Sequence, residues 1–433
     1  MRLTLLFKKF FANNPFLRNI LVLMSGTVIA QVITVIVSPI LTRLFNPAAF
    51  GVFGIYMSIV SIVTAIVTMR YDQALMLPNN NKNAAHLFWA AIFSVIAVSA
   101  ISLILCLAFF KQIILLLKIE EIGMWILLFP FSIFLSGLYL TLTSWFARQK
   151  KFKKDSISQM VRSTAANSAQ VSSGVFNAGP VGLIAGNILG DLLSSFTLIF
   201  QMRHDDKQIL KEGLHYHSIK QLGKQYSDFP IYSSTQNFLN AISQNIPVLL
   251  LAKFFGPVIV GYYALGVRVL QLPMNFILTS LRQVLFQRAS EIHNAQGDTY
   301  NLFKKTTLGL FGIAVVPALI IIAFGPFLFG LILGKNWATA GEYARWLIIW
   351  LGVGFINPPA ILFAQIYRKQ KFLFFQDLAL LFSRVSTLII GGLYFDALGS
   401  IIMYSIIGFV FNSFIILYMW SFIRTRQSER QLK

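Results

Sequence analysis

The chain is short of acid, of sulfur and of charge altogether. Only 15 Asp and Glu stand against 36 Lys and Arg, charged residues make up 12% of 433 positions, and one cysteine, Cys106, sits in an apolar segment. A single thiol closes no internal disulfide and builds no thiolate metal cluster, so Cys106 reads as a small buried hydrophobe. The five histidines, His86, His204, His215, His217 and His293, fall in or beside loops without metalloprotease spacing. Phosphate-cradling glycine motifs are absent, and the longest loop, near 202–228, is basic and too short for a catalytic domain. No catalytic residue, metal or cofactor is therefore expected, and an enzyme is not.

What the chain has instead is hydrophobic length. Apolar residues make up 56% of it, and the mean hydropathy is +0.70, the composition of a polytopic membrane protein. Runs able to cross about 30 Å of hydrocarbon fall near 18–42, 49–69, 84–110, 122–145, 160–177 and 180–201, then near 229–252, 258–286, 307–333, 342–367, 373–395 and 398–423. The fifth and seventh are interrupted by Ser, Asn and Gln, but their polar residues recur periodically. The expected fold is all-α, with twelve transmembrane helices.

Basic residues orient such a chain. With the N-terminus inside, cytoplasmic segments hold 26 Lys and Arg against five outside, Arg43, Lys111, Lys118, Lys253 and Lys335. Dropping either weak helix inverts half the loops and spoils this asymmetry, so both termini are expected in the cytoplasm. Met1 to Phe11 carries Lys8 and Lys9 and no small-residue cleavage site, so no cleavable signal is expected there. Much of the +21 net charge is thereby explained without a partner. The bases are scattered over short loops, which argues against nucleic acid.

A repeat divides the chain. Leu41, Phe45, Pro47 and Gly51 recur 210 residues later as Leu251, Phe255, Pro257 and Gly261, with Arg43/Lys253 and Phe53/Tyr263 as conservative exchanges. Each copy joins the first two helices of a six-helix group. This predicts two six-helix lobes, 1–215 and 216–433, related by a parallel repeat about an axis along the membrane normal. The first and seventh helices also carry related polar stripes: Thr27, Gln31, Thr34 and Ser38 in one, and Ser233, Gln236, Asn237, Asn240 and Gln244 in the other. Such stripes serve helix packing or line a path.

Arginine inside the membrane is the unusual feature. Arg268 and Arg282 lie fourteen residues apart in the run from Gly261 to Phe286, with Gln271, Asn275 and Thr279 on the same helical face. A mid-bilayer arginine costs roughly 3 kcal/mol on insertion scales, so these side chains normally face a water-filled cavity and mark a substrate path. Arg70, at the cytoplasmic end of the second helix beside Asp72, falls near Arg282 in the repeat. Paired guanidinium groups suit a diphosphate. Arg162 in the fifth helix and Asp191 in the sixth are buried candidates for a mutual ion pair, serving as a structural bridge or an ion-coupling site. Gly182, Gly186 and Gly190 form a small-residue ridge leading to Asp191. Arg384 is a further cavity candidate, and Arg345 with Glu342 belongs to the outer rim.

The segments Leu41-Thr42-Arg43-Leu44-Phe45-Asn46-Pro47-Ala48-Ala49-Phe50-Gly51, Arg70-Tyr71-Asp72-Gln73-Ala74-Leu75-Met76-Leu77-Pro78 and Gly261-Tyr262-Tyr263-Ala264-Leu265 with Leu272-Pro273 resemble the Wzx-type oligosaccharide flippases of the multidrug, oligosaccharidyl-lipid and polysaccharide exporter superfamily. The resemblance implies a twelve-helix, two-lobed transporter of the bacterial inner membrane that turns an undecaprenyl-diphosphate-linked oligosaccharide from the cytoplasmic to the periplasmic leaflet, for O-antigen or lipopolysaccharide assembly. Polymerase and chain-length proteins are the partners it implies, beside the lipid-linked substrate and the bilayer. Ion coupling through Asp191 or Asp72 is implied by the same analogy. The competing readings are a multidrug or cation antiporter, for which acidic cavity residues are expected, a flippase for a peptidoglycan or teichoic-acid precursor, and a membrane glycan polymerase.

Overall fold

The computed structural model describes residues 15–295 and 297–431, and the side chain of Arg282 lies outside the described residues. Every regular element among them is helical. α1 (Pro15–Leu44) and α2 (Pro47–Thr64) are followed by the one-turn α3 (Tyr71–Ala74), α4 (Asn81–Ala108) and α5 (Phe110–Leu117). A 3-10 stretch (Glu120–Leu127) leads into α6 (Leu128–Arg148), α7 (Phe152–Val175) and α8 (Gly179–Phe200). The short helices α9 (His204–Glu212) and α10 (Tyr216–Gln225) and a π-helical turn (Phe229–Ser233) connect to α11 (Ser234–Phe255) and α12 (Pro257–Asn294). The rest comprises α13 (Thr299–Leu333), α14 (Ala338–Ile356), α15 (Pro358–Ile366), α16 (Gln370–Tyr394) and α17 (Ala397–Gln431).

Local chemistry starts these helices where it should. Asn46 Oδ1 accepts from the Ala49 N–H at 2.8 Å with Pro47 in the first turn, and Asn80 Oδ1 accepts from Asn83 N–H at 2.7 Å; each cap satisfies a donor that the helix itself leaves open. Gly256, at φ +82°, stops α11 and lets Pro257 open α12.

Eleven helical stretches among the described residues are long and apolar enough to cross a membrane. The twelfth expected segment is present as α7, whose composition keeps it off that count. It packs chiefly on α8 and α1, and its polar groups are spent inside the protein. Ser163 Oγ donates to Ala30 O at 2.7 Å, Asn167 Nδ2 to Ser163 O at 2.7 Å, and Gln170 Nε2 to Leu183 O at 3.0 Å. The glycine ridge of α8 makes this close approach feasible: a β-carbon on Gly190 would meet the Arg162 carbonyl at 2.8 Å, and one on Gly186 the Ala166 carbonyl at 3.0 Å. The ridge is a packing surface. The second helix ends earlier than its apolar run, at Thr64, and continues as hydrogen-bonded turns to Arg70.

The chain falls into two compact units, one running to Phe45 and from Val52 to Asn245, the other formed by Asn46–Gly51 and Ile246–Lys433. In the first, Phe88, Leu142, Trp145, Phe146 and Leu198 build an apolar core between α4, α6 and α8. In the second, Phe303, Ala360, Phe363, Met419 and Ile423 do so between α13, α15 and α17. The two repeat motifs meet within this second unit. A β-carbon on Gly51 would overlap the Pro257 carbonyl and stand 3.0 Å from Gly261 N, and one on Gly261 would overlap the Pro47 carbonyl and stand 3.1 Å from Gly51 N. The 210-residue offset is therefore visible as a reciprocal backbone contact, flanked by the fully buried Trp337, whose ring packs edge-on against Phe50 and Tyr262.

Candidate functional site

The first unit holds a cavity of about 320 Å³. One wall is the end of α2, with Ser61, Thr64 and Ala65, and the other is α11, whose Asn237, Asn240, Gln244 and Asn245 recur at helical spacing. Arg70 supplies its charge. Two amides bind across the gap: Asn237 Nδ2 donates to Ala65 O at 2.8 Å and Asn245 Nδ2 to Ser61 Oγ at 3.2 Å. Asn240 and Gln244 are exposed, so they offer amide donors and acceptors to a ligand.

Arg70 stands in an uncommon backbone conformation. Both Met69 (φ 48°) and Arg70 (φ 59°) are left-handed, where a β-carbon crowds the carbonyl at a cost of roughly 1–2 kcal/mol per residue. Non-glycine residues persist there when their surroundings over-determine them, and such positions cluster at functional sites. Arg70 Nε is buried without a hydrogen-bond partner. No ion pair within 4 Å is made by Arg70 among the described residues. Asp72, two residues on, forms no ion pair with it within 4 Å: it is 3% exposed and accepts from Thr68 Oγ1 at 2.6 Å. Burial holds its carboxyl above the ordinary range, against the Thr68 hydrogen bond and the Arg70 charge. The cavity thus carries one guanidinium without an ion-pair partner within 4 Å among the described residues, set among amides and hydroxyls, and no carboxylate lines it.

The other candidate residues separate into distinct groups. Arg162 and Asp191 do pair, Nε to Oδ1 at 2.5 Å, with Ser136 Oγ donating to the second carboxylate oxygen at 2.8 Å and the guanidinium 4.9 Å from the Tyr139 ring centre. This bridges α7, α8 and α6. In the second unit, Arg268 and Asn275 lie two turns apart on α12. Arg268 is half-buried, and no hydrogen bond or ion pair is made by it among the described residues. The expected pairing of Arg70 with Arg282 involves a side chain outside the described residues. Arg384 is 8% exposed and its guanidinium lies 4.7 and 4.9 Å from the ring centres of Trp350 and Tyr404, which pack edge-to-face on each other, a cation held against two aromatic rings inside its unit. Arg345 donates to Ala323 O at 2.9 Å.

Sequence reasoning missed Ser61, Thr64 and Asn245 as cavity residues, and it missed Arg148. That guanidinium binds the carbonyls of Leu75 (2.9 Å), Met76 (3.2 Å), Pro78 (2.7 Å) and Asn80 (3.2 Å), fastening the loop after α3.

The polysaccharide biosynthesis protein family model matches residues 40–342, well over half of the chain. The chain belongs to this family. Its fold is shared with the lipid II flippase MurJ in an inward closed conformation (TM-score 0.73, 14% identity, 92% of this chain and 87% of that one). It is shared also with an inward-facing multidrug resistance MATE family transporter of the MOP superfamily (0.67, 13%, 91% and 95%) and with the Vibrio cholerae MATE transporter VcmN (0.56, 15%, 94% and 96%). No curated protein matches in sequence. This family member is thus a multi-pass membrane protein with the fold of the MOP transporters, and the structures it resembles are transporters and flippases rather than enzymes.

Proposed function

We propose that this polysaccharide biosynthesis protein flips undecaprenyl-diphosphate-linked oligosaccharides from the cytoplasmic to the periplasmic leaflet of a bacterial inner membrane, for O-antigen or related surface polysaccharide assembly. The observation that carries this reading is the unpaired Arg70 in a cavity of amides and hydroxyls without a carboxylate. An anion bearing many hydroxyls satisfies those groups, and a guanidinium binds phosphate oxygens in a fixed fork. A multidrug cation would find no counter-charge in that cavity. At about 320 Å³ it lies at the small end of ligand sites, sized for a diphosphate headgroup region rather than a whole oligosaccharide.

In this reading Arg268, on the apolar α12, supplies a second cationic step, with Arg282 and Asn275 further along it. Lobes 1–215 and 216–433 alternate access to the two leaflets with both termini cytoplasmic, while the prenyl chain stays in lipid. The Arg162–Asp191 pair serves as a bridge that carries coupling if ions drive transport. Polymerase and chain-length proteins would receive the product.

The test is translocation in vesicles, using glycan-tagged lipid-linked oligosaccharide extracted from the producing cell. Charge-assisted hydrogen bonds contribute about 1.5–3 kcal/mol, so Arg70→Ala and Arg268→Ala should each slow flipping on the order of tenfold or more. Wild-type rates in a properly inserted double variant would sink the assignment.

A further inference from the structure

Two fasteners hold the left-handed turn that presents Arg70. One is local, the Thr68 to Asp72 hydrogen bond. The other is remote: the Tyr71 hydroxyl donates to the carbonyl oxygen of Gly223 at 3.1 Å, across 152 residues. Gly223 lies in α10, the amphipathic helix between the sixth and seventh long helices. Its buried Ile219 and its partners Leu222 and Tyr226 face inward, while Lys220 and Lys224 stay exposed.

The docking of α10 is specific. Leu222, Tyr226 and Phe229 pack with Tyr71 against Ala74, Leu75 and Leu87, so α10 grips the residues immediately after Arg70. Burial raises the Tyr71 phenol above its ordinary range and keeps it a donor. Phe229 in the same cluster opens the π-helical turn that becomes α11, the helix whose amides form the opposite wall of the cavity. Extra-residue turns of this kind recur at functional sites. One segment therefore touches both the cation's turn and the root of the amide wall.

We infer that α10, acting through Tyr71, is the positioning element for Arg70: the Tyr71–Gly223 hydrogen bond and the Leu222 contact set where the guanidinium stands in the cavity. Without them the two left-handed residues relax toward ordinary conformations and the guanidinium leaves its place between α2 and α11. Tyr71 does not line the cavity, so it acts on the substrate only through Arg70. This inference rests on the reading of the cavity as the headgroup site.

The experiment pairs a readout of α10 with one of transport, on the full-length chain. Trypsin cleavage after Lys220 and Lys224, followed by mass spectrometry, reports undocking of α10 in detergent and needs no substrate. Tyr71→Phe removes one hydroxyl, and Leu222→Ala loosens the same contact from the other side while leaving that hydroxyl in place. Both should speed cleavage at Lys220 and Lys224 severalfold. Both should also raise the KM for the tagged lipid-linked oligosaccharide about fivefold, the factor that corresponds to one ordinary hydrogen bond, with the maximal rate within twofold of wild type. In addition, inorganic pyrophosphate should slow cleavage in wild type and not in Arg70→Ala. Faster cleavage with an unchanged KM would overturn the positioning role, and so would a raised KM with unchanged cleavage. If Arg70→Ala itself flips with wild-type KM, the headgroup reading fails, a result distinguishable because the cleavage of Tyr71→Phe is scored independently of it.

Discussion

Replacing Gly51 by valine should lower the yield of folded protein sharply, and Gly51→Ala should lower the apparent melting temperature of the purified chain by on the order of 5–10 °C. The reason is that the neighbouring atoms are backbone. A β-carbon at Gly51 would overlap the Pro257 carbonyl, and a helix start capped by Asn46 and opened by proline cannot yield as a side chain would. Overpacking costs typically 1–3 kcal/mol where side chains can shift; here the expected cost is about 3 kcal/mol, which corresponds to the stated change if each kcal/mol is worth a few degrees. Two comparisons make the result interpretable. Gly309→Ala and Gly312→Ala, where a β-carbon meets nothing within 4 Å, should be neutral or slightly stabilising, because alanine is the better helix former. Gly261→Ala should match Gly51→Ala, and the double variant should cost less than the sum, since both open one shared contact. Additive losses, or a tolerated Gly51→Val, would show that the crossing is not tight.

The repeat behind that contact was legible in the chain, because the spacing between Pro47 and Pro257 equals that between Gly51 and Gly261, but that its two copies touch was not. A proline at a helix start and a glycine one turn later define a surface by themselves, without reference to distant residues. The α7 helix was legible for a similar reason: Gln159, Arg162, Gln170 and Ser173 recur at helical spacing, and polar groups in an apolar chain must find partners, although Ser163 and Asn167 carry several of its hydrogen bonds. The Arg162–Asp191 pair followed from two lone charges in consecutive helices.

The cavity was harder to read. It joins α2 to α11 through the hydrogen bond from Asn237 to Ala65, 172 residues apart, and no periodicity encodes which helix faces which. Nor does Met69-Arg70-Tyr71 announce a left-handed turn, since it contains no glycine or asparagine; that conformation is imposed by the Thr68–Asp72 and Tyr71–Gly223 hydrogen bonds. The surroundings of Arg384 were illegible for the same reason. From the chain alone it is one more intramembrane arginine, whereas the fold sets it against the rings of Trp350 and Tyr404, brought from two other helices.

Arg162→Ala should destabilise the first unit more than Asp191→Asn does, although the two changes break the same ion pair. The partners are unequally buried: the Asp191 side chain is 1% exposed and that of Arg162 39%. Removing the arginine leaves a carboxylate inside a helical bundle with only Ser136 donating to it, and stranding one member of a buried pair costs about 3–5 kcal/mol. Removing the carboxylate charge leaves an amide oxygen that can still accept from the guanidinium, which stays against the Tyr139 ring, so Asp191→Asn should cost about 1–2 kcal/mol, the difference between a charge-assisted and a neutral hydrogen bond. The double variant Arg162→Ala, Asp191→Asn should recover much of the loss of Arg162→Ala, because the amide carries no charge to strand. Thermal unfolding of the four proteins in one detergent measures the cycle. Flipping by Asp191→Asn then separates the remaining roles: a stable, fully active Asp191→Asn makes the pair a bridge, whereas a stable variant that flips slowly gives Asp191 a part in coupling. Equal losses from the two single variants would mean that the carboxylate is better solvated than its burial indicates.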